Sequence, residues 1–265
     1  VDAVTVRAIR GEGTCEAAWQ AWSGLADLPS ITAEALVPPR TRAVVVAPHP
    51  DDEVLAVGGL LALLARSGAP VQVIAVTDGT ASHRASSVWP VERLARERPL
   101  ETRLALHRLG VEREVLRLGL PDGEVDRLCD ALADRLRGLL NRDDVVFTTW
   151  REDGHPDHEA TGRASALAAA RCGARLVEVP VWAWHWATPG DARLPWHRAR
   201  RLALDADAAQ RKRHAVEAFA SQLQPDASTG AGAILPASTV ARAARPFEVL
   251  FDETPGRFQN QEGAL

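Results

Sequence analysis

From residue 43 onward the chain alternates short β-branched runs with longer stretches whose apolar positions recur at helical spacing. Residues 43–47 (AVVVA), 71–76 (VQVIAV), 115–118, 145–149 and 176–179 have the length and branching of buried strands. Residues 54–66, 90–109, 125–140 and 160–170 lie between them and read as helices. This alternation predicts an α/β fold: a Rossmann-like, doubly wound, mainly parallel sheet with helices on both faces. Its crossovers should be right-handed. Residues 1–40 read as an N-terminal extension, closed by the breakers Pro38 and Pro39. The pattern changes again near residue 180. Residues 180–204 are rich in Trp and Pro, and 206–223 read as a helix. A loop over 224–233 is followed by the segment 236–244 and a short apolar strand at 247–251. The organisation expected is a single domain over 1–265, with its core at 41–180 and a cap with the C-terminal part at 181–265.

Two polar motifs interrupt the pattern where strands end. Pro48-His49-Pro50-Asp51-Asp52-Glu53 follows the first strand, and Gly154-His155-Pro156-Asp157-His158-Glu159 comes shortly after the fourth. Doubly wound sheets bind ligands beyond the carboxyl ends of their strands, where strand order reverses. The first and fourth strands flank that point, so both motifs should reach one crevice. His49 and Asp52 are three residues apart, as are His155 and His158, so one turn brings each pair to one side. Two imidazoles and one carboxylate beside an open position make a catalytic zinc site. Another divalent ion is compatible with such donors. Of the adjacent Asp51 and Asp52, one can ligate while its neighbour takes a proton from the metal-activated water. The remaining histidine would sit opposite, as a protonated electrophile or as proton donor to the leaving group. Glu53 and Glu159 suit supporting roles. The plain alternatives are a helix N-cap for Asp51 and an unliganded surface pair for a single His-x-x-His.

Composition narrows the field. The net charge of -4 supplies no basic surplus for nucleic acid. No apolar run approaches the roughly 20 residues that span a bilayer. Cys15, Cys129 and Cys172 are far apart and odd in number, which argues against a disulfide framework or thiolate metal site and for a reducing cytoplasm. There is no Tyr, so no phenol can serve as acid or oxyanion donor. A nucleotide-binding module on the same fold is disfavoured, because the first strand lacks a following GxGxxG and its acidic turn would repel a pyrophosphate. A non-catalytic metal-binding protein is the other alternative.

The strand-HPDDE block followed by Gly58-Gly59, with the later HPDH block, resembles the PIG-L/LmbE family of zinc-dependent de-N-acetylases. The resemblance runs from about Arg42 to Val179. It implies hydrolysis of an N-acyl, typically N-acetyl, amide on an amino sugar or sugar-bearing small molecule. By matching position it implies His49, Asp52 and His158 as metal ligands and Asp51 as general base. It makes His155 the group that stabilises the oxyanion or protonates the amine. Arg98, in Arg98-x-x-Glu101, and Asp122, in Leu120-Pro121-Asp122-Gly123, resemble residues that hold the sugar. Their plain readings are a surface ion pair with Glu101 and a common turn. Asp153 stands where some members carry a mobile tyrosine, so the oxyanion must find another donor. Trp182, Trp184 and Trp186 alternate, and in an extended segment would share one face, with one indole reaching the pocket. His185 reads as a packed histidine, and Trp150 as packing near the site. The loop Asp78–His83 should border the crevice. Oligomeric state is left open by the sequence.

Overall fold

The structure, a computed structural model, describes residues 7–252. The ends of the domain expected over 1–265 therefore lie outside the described residues. In chain order the elements are α1 (Glu16–Ala21), α2 (Ser23–Ala26), β1 (Ser30–Ile31), α3 (Ala33–Leu36), β2 (Arg42–Ala47), α4 (Asp52–Ser67), β3 (Val71–Thr77) and α5 (Val91–Leu109). There follow β4 (Leu116–Leu120), α6 (Cys129–Arg137), β5 (Asp144–Thr149), α7 (Pro156–Cys172), β6 (Arg175–Val179) and α8 (Ala183–Trp186). The last are β7 (Ala199–Ala203), α9 (Ala206–Val216), α10 (Ala220–Leu223), α11 (Ala237–Ala243) and β8 (Phe247–Asp252).

The strands form one sheet in the order β1-β7-β8-β6-β5-β2-β3-β4. All pairs are parallel except those of β8, which is antiparallel to both β6 and β7. Strand β2 shows why helices cover both faces. Ala43 and Val45 point into a core with Leu60, Leu61, Leu106 and Leu109, whereas Val44 and Val46 point into a second with Leu132, Leu136, Ala160 and Ala164. Both faces are apolar, as a parallel sheet requires. Strands β2 and β5 lie side by side, with β3 and β4 beyond one and β6 beyond the other. The reversal of strand order falls between them.

The flanking segments contribute more than a cap. Strands β7 and β8 widen the sheet and β1 closes its edge, so the extension and the C-terminal part join the core segment in one sheet. Strand β7 escaped the sequence reading because Ala199–Ala203 carries two arginines in five residues and has no β-branched side chain. The helix expected over 206–223 is two, α9 and α10, separated by a turn at residues 217–219. The Trp segment is helical, so Trp184 turns away from the side that carries Trp182 and Trp186, and the three indoles do not share one face. Trp184 packs against Trp19 with ring centroids 4.9 Å apart, Trp186 stacks on Trp150, and only Trp182 borders the reaction cavity. His185 is buried and its Nε2 faces the Arg10 carbonyl at 3.1 Å.

Helix α4 is broken inside. Val57 leaves helical geometry, with φ -133° and ψ 24°. The amide groups of Gly59 and Leu60 donate instead to the Glu248 carboxylate of β8, at 2.7 and 2.9 Å. Lys212 pairs with the same carboxylate at 2.6 Å and donates to the Leu55 carbonyl. A Cβ on Gly59 would overlap Leu204 and press on Glu248. A Gly59→Ala variant should therefore lose about 1–3 kcal/mol, read as a lower urea midpoint with unchanged slope. Among the described residues no helix is long and apolar enough to cross a membrane.

Candidate active site

The chain turns sharply between β2 and α4, and that turn presents the first motif. Asp51 has φ 130°, which a residue with a Cβ adopts only under constraint. Its amide donates to Glu53 Oε2 at 3.1 Å, and the His49 amide donates to Asp52 Oδ2 at 3.0 Å. Asp51 occupies the N-cap position of α4, but its side chain makes no capping bond. Its carboxylate faces Arg98 instead, at 3.2 Å. The plain N-cap reading of Asp51 therefore fails.

The second motif arrives at the start of α7, beyond β5. Asp52 Oδ2 lies 3.2 Å from His49 Nδ1 and 3.2 Å from His158 Nε2, so one carboxylate oxygen sits between two imidazoles contributed by distant segments. His155 packs edge-on against His49 with ring centroids 5.0 Å apart. Donor atoms of His49, His155 and His158 lie within 4.8 Å of one another, and so do those of His49, Asp122 and Asp157. His158 Nε2 is buried and has no hydrogen-bond partner. A buried nitrogen without a partner, facing a carboxylate and a second imidazole, suits a divalent cation and its N/O donor preference.

His49, Asp51, Asp52, His155 and His158 line one cavity of about 290 Å³. Arg98 and Asp122 line it too, on the residues expected to hold substrate. Arg98 and Glu101 are both buried, so they are not a surface pair. Arg98 donates to the carbonyls of Gly79 and Pro50 at 2.8 and 2.6 Å. Glu101 turns away and accepts from the amide and hydroxyl of Ser221, both at 2.7 Å, beside Gln222 on the cavity wall. Asp122 follows β4 in a turn, yet it accepts from the Ala81 amide at 2.6 Å and lies 3.1 Å from His49 Nε2. The loop after β3 does border the crevice, through Ala81 and Ser82.

Residues 44–169, just under half of the chain, match the family PIG-L, described as GlcNAc-PI de-N-acetylase. Over these residues the chain is similar to the PIG-L family. A probable N-acetyl-alpha-D-glucosaminyl L-malate deacetylase 2 of Bacillus cereus is 32% identical over 48% of this chain and 60% of its own length. The chain thus spans about three-fifths of that relative. A 1D-myo-inositol 2-acetamido-2-deoxy-alpha-D-glucopyranoside deacetylase of Corynebacterium diphtheriae is 28% identical over 69% of this chain and 76% of its own. Among solved structures, the A40926 pseudoaglycone deacetylase Dbv21 superposes with a TM-score of 0.59 at 26% identity, covering 80% of this chain and 97% of its own. PIG-L deacetylases are metal-dependent, and the His/Asp cluster of this chain suits an ion.

Two residues of the site matter that the sequence did not single out for these roles. Asp153 is fully buried. Its Oδ2 accepts from His158 Nδ1 at 2.8 Å and from the Trp182 amide at 2.9 Å, and its Oδ1 accepts from the amides of Val181 and Ala183, both at 2.9 Å. The carboxylate thereby fixes the His158 ring and folds the start of α8 around itself. Asp157 accepts from the amides of Gly123 and Val125 at 2.7 and 3.2 Å and lies 3.2 Å from His49 Nε2. The signal available in sequence was an extra acid beside each histidine of the DGHPDH run, a common arrangement behind metal-binding imidazoles.

Burial and neighbours divide the site's protons. Burial raises Asp51 to about 8, against the pull of Arg98, and raises Glu53 to about 7. Burial would raise Asp52 as well, but His158 and His49 overcome it and hold that carboxyl well below its usual range. Burial opposes charge on His158, yet Asp52 and Asp153 bring it up to about 9. His49 is likewise raised, against burial, by Asp122, Asp157 and Asp52. His155 goes the other way: burial, His158 and His49 push it down to about 3. These surroundings favour the neutral imidazole. Its Nδ1 accepts from the Asp157 amide at 3.2 Å, so its one N–H is on Nε2.

A cation must displace the protons of His49 and His158. Apparent metal affinity should therefore rise with pH, by about tenfold per pH unit for each displaced proton, with the His158 part of the rise ending at about pH 9. Metal-free stability has the opposite slope. Asp51 and His158 titrate higher folded than unfolded, so the folded chain binds more protons and loses stability as pH rises through about 8 and about 9. Competition titration with a chelator and melting of the metal-free protein between pH ~7 and ~9 check the two slopes. A pH-independent affinity would overturn the assignment of protons.

Proposed function

We propose that this chain is a zinc-dependent de-N-acetylase acting on an N-acetyl amino sugar within a larger small molecule. The observation that carries the reading is the single cavity where His49, Asp52 and His158 gather around one carboxylate oxygen and Asp51 and His155 line the walls. His49, Asp52 and His158 would hold the ion. A bound zinc would polarise the amide carbonyl and make an attacking water more acidic.

The chain's own groups do the rest. Asp51 takes the proton of the attacking water. Arg98, 3.2 Å away, keeps the Asp51 carboxylate aimed at the cavity. His155 offers its neutral Nε2–H to the oxygen that gains charge as the carbonyl carbon becomes tetrahedral. That N–H takes the place of the phenol this chain lacks. The proton on Asp51 then passes to the departing amine, which leaves free amine and acetate and restores the base. Asp122 and the guanidinium edge of Arg98 face the same cavity and suit the hydroxyls of a sugar ring. The cavity of about 290 Å³ suits a single pyranose with its acetamido group, so any aglycone would extend toward the opening.

The test is metal analysis of the purified chain, with amine release measured on N-acetylglucosaminides before and after chelation. Release should vanish with the metal and return with zinc. Bound metal with no release from any N-acetylated glycoside would favour the non-catalytic reading.

A further inference from the structure

Beside the reaction cavity lies a smaller one, of about 40 Å³. The two share a wall, because Leu55, Val181 and Thr239 line both. The smaller cavity is built where α9, α11 and β8 meet α4 and the end of β6. Its apolar lining includes Val179, Ala243, Phe247 and Val249. Apart from Leu55 and Ala56, every residue that lines it lies beyond residues 44–169, so the family match does not account for it.

Three buried cations line this cavity, and two have a carboxylate of their own. Lys212 pairs with Glu248 at 2.6 Å. Arg245 holds Glu16 by two bonds, of 2.7 and 2.8 Å. Arg242 is left over. Only 8% of it is exposed. Its Nη1 donates to Thr239 Oγ1 at 3.4 Å, and its Nη2 to the carbonyls of Trp184 and Thr14 at 3.3 and 3.5 Å. These are neutral acceptors at the long limit of hydrogen bonding. Its Nε has no hydrogen-bond partner. Glu16 stands 3.8 Å from that nitrogen, but its two oxygens are committed to Arg245. Burial and Arg245 push Arg242 down to about 9, against the pull of Glu16 and Asp153, which leaves it a cation at neutral pH. A buried cation with an unpaired N–H is costly, and an anion with acceptor oxygens relieves it.

We infer that this cavity is a binding site for a small monocarboxylate, and that its occupant is the acetate released in the adjoining reaction cavity. The source of the acetate rests on the de-N-acetylase reading; the site itself does not. The carboxylate meets Arg242, since a guanidinium favours a planar partner with two oxygens. The methyl group meets the apolar lining. The volume is that of about three waters, which suits acetate and is too small for a sugar. The free amine stays with Asp122 and Arg98 in the larger cavity, so the two products separate.

Titration of the metal-free protein with carbon-13-labelled acetate, followed by NMR line width, tests the site without turnover. Binding should saturate, and should weaken by about tenfold or more in Arg242→Gln. Ala243→Val narrows the cavity and leaves the guanidinium in place. It should weaken acetate too, which keeps the test decisive if Arg242→Gln fails to fold. Formate should bind and butyrate should not. Acetate binding that Ala243→Val leaves unweakened, or butyrate binding as tight as acetate, would overturn the site. On the metal-loaded protein, acetate held here delays release of the next acetate. Inhibition of amine release by added acetate should therefore persist at saturating glycoside and ease in Ala243→Val. Inhibition that saturating glycoside removes entirely would overturn the product role. Arg242-dependent acetate binding with no amine release from any N-acetylated glycoside would instead overturn the de-N-acetylase reading and leave the carboxylate site standing.

Discussion

An Asp51→Asn variant is expected to lose about 10²–10⁴-fold in kcat on an N-acetylglucosaminide while keeping its metal. The substitution preserves shape and removes only the ability to take a proton. Asp51 contributes to no intervening contact with His158, and Asp52 keeps its place between the two imidazoles. Arg98 retains its bonds to the carbonyls of Gly79 and Pro50, so the buried guanidinium is not orphaned. The pH dependence of the unsubstituted chain offers a second readout. Burial raises Asp51 to about 8 in the metal-free protein, and a bound cation nearby favours its charged form and lowers that value. The acidic limb of kcat/KM should therefore fall below pH ~8, and Asp51→Asn should flatten it. Measured metal content near that of the unsubstituted protein, with kcat reduced and the limb gone, supports the base. Undiminished kcat would overturn it.

The second large effect concerns a residue that need never touch substrate. Asp153 accepts four hydrogen bonds in a fully buried position, one from His158 and three from the amides of residues 181–183. Asp153→Ala removes the acceptor from all four donors at once. At about 1–3 kcal/mol for each buried donor, offset by water entering the space left, a net loss of about 3–5 kcal/mol is expected. Asp153→Asn is milder for the fold and more telling for the site. It keeps one carbonyl oxygen for the amides but removes the charge that orients and polarises His158. Metal affinity should fall about 10–100-fold, as for other outer carboxylates behind metal-binding imidazoles. Urea unfolding of the metal-free variants and chelator competition on Asp153→Asn separate the two consequences. Unchanged metal affinity in Asp153→Asn would show that the ring is held by packing alone.

Asp153 also shows where sequence reasoning stopped. By position it was the place of a missing tyrosine, and the loss of a phenol was its whole meaning. The structure gives it a positive role: its carboxylate gathers three consecutive amides and so turns residues 183–186 into helix. That turn is why Trp184 does not share a face with Trp182 and Trp186. Only an extended run would have aligned all three, and a buried acid 28 residues upstream of Val181 makes the segment helical instead. A similar limit applies at Val57, where the α4 break depends on Glu248 from the far end of the chain. The Gly58-Gly59 pair was visible in the sequence, but the carboxylate that uses it was not.

The sequence by itself determined the alternating core and the two motifs at its strand ends. Branching, length and helical spacing are local properties, and in residues 43–179 local preference and burial agree. It also determined the chemical inventory, since HPDDE and HPDH carry the donor types and the absence of Tyr removes one. The tertiary structure alone decided the protonation of that inventory. Asp51 and Asp52 are adjacent and chemically identical, yet burial raises one to about 8 while His49 and His158 hold the other charged. His155 and His158 separate in the same way, one neutral and one cationic, because only His158 lies between two carboxylates. Desolvation and Coulomb interaction depend on distance through space, and the chain brings these groups together from more than a hundred residues apart. No spacing along the sequence encodes that distance.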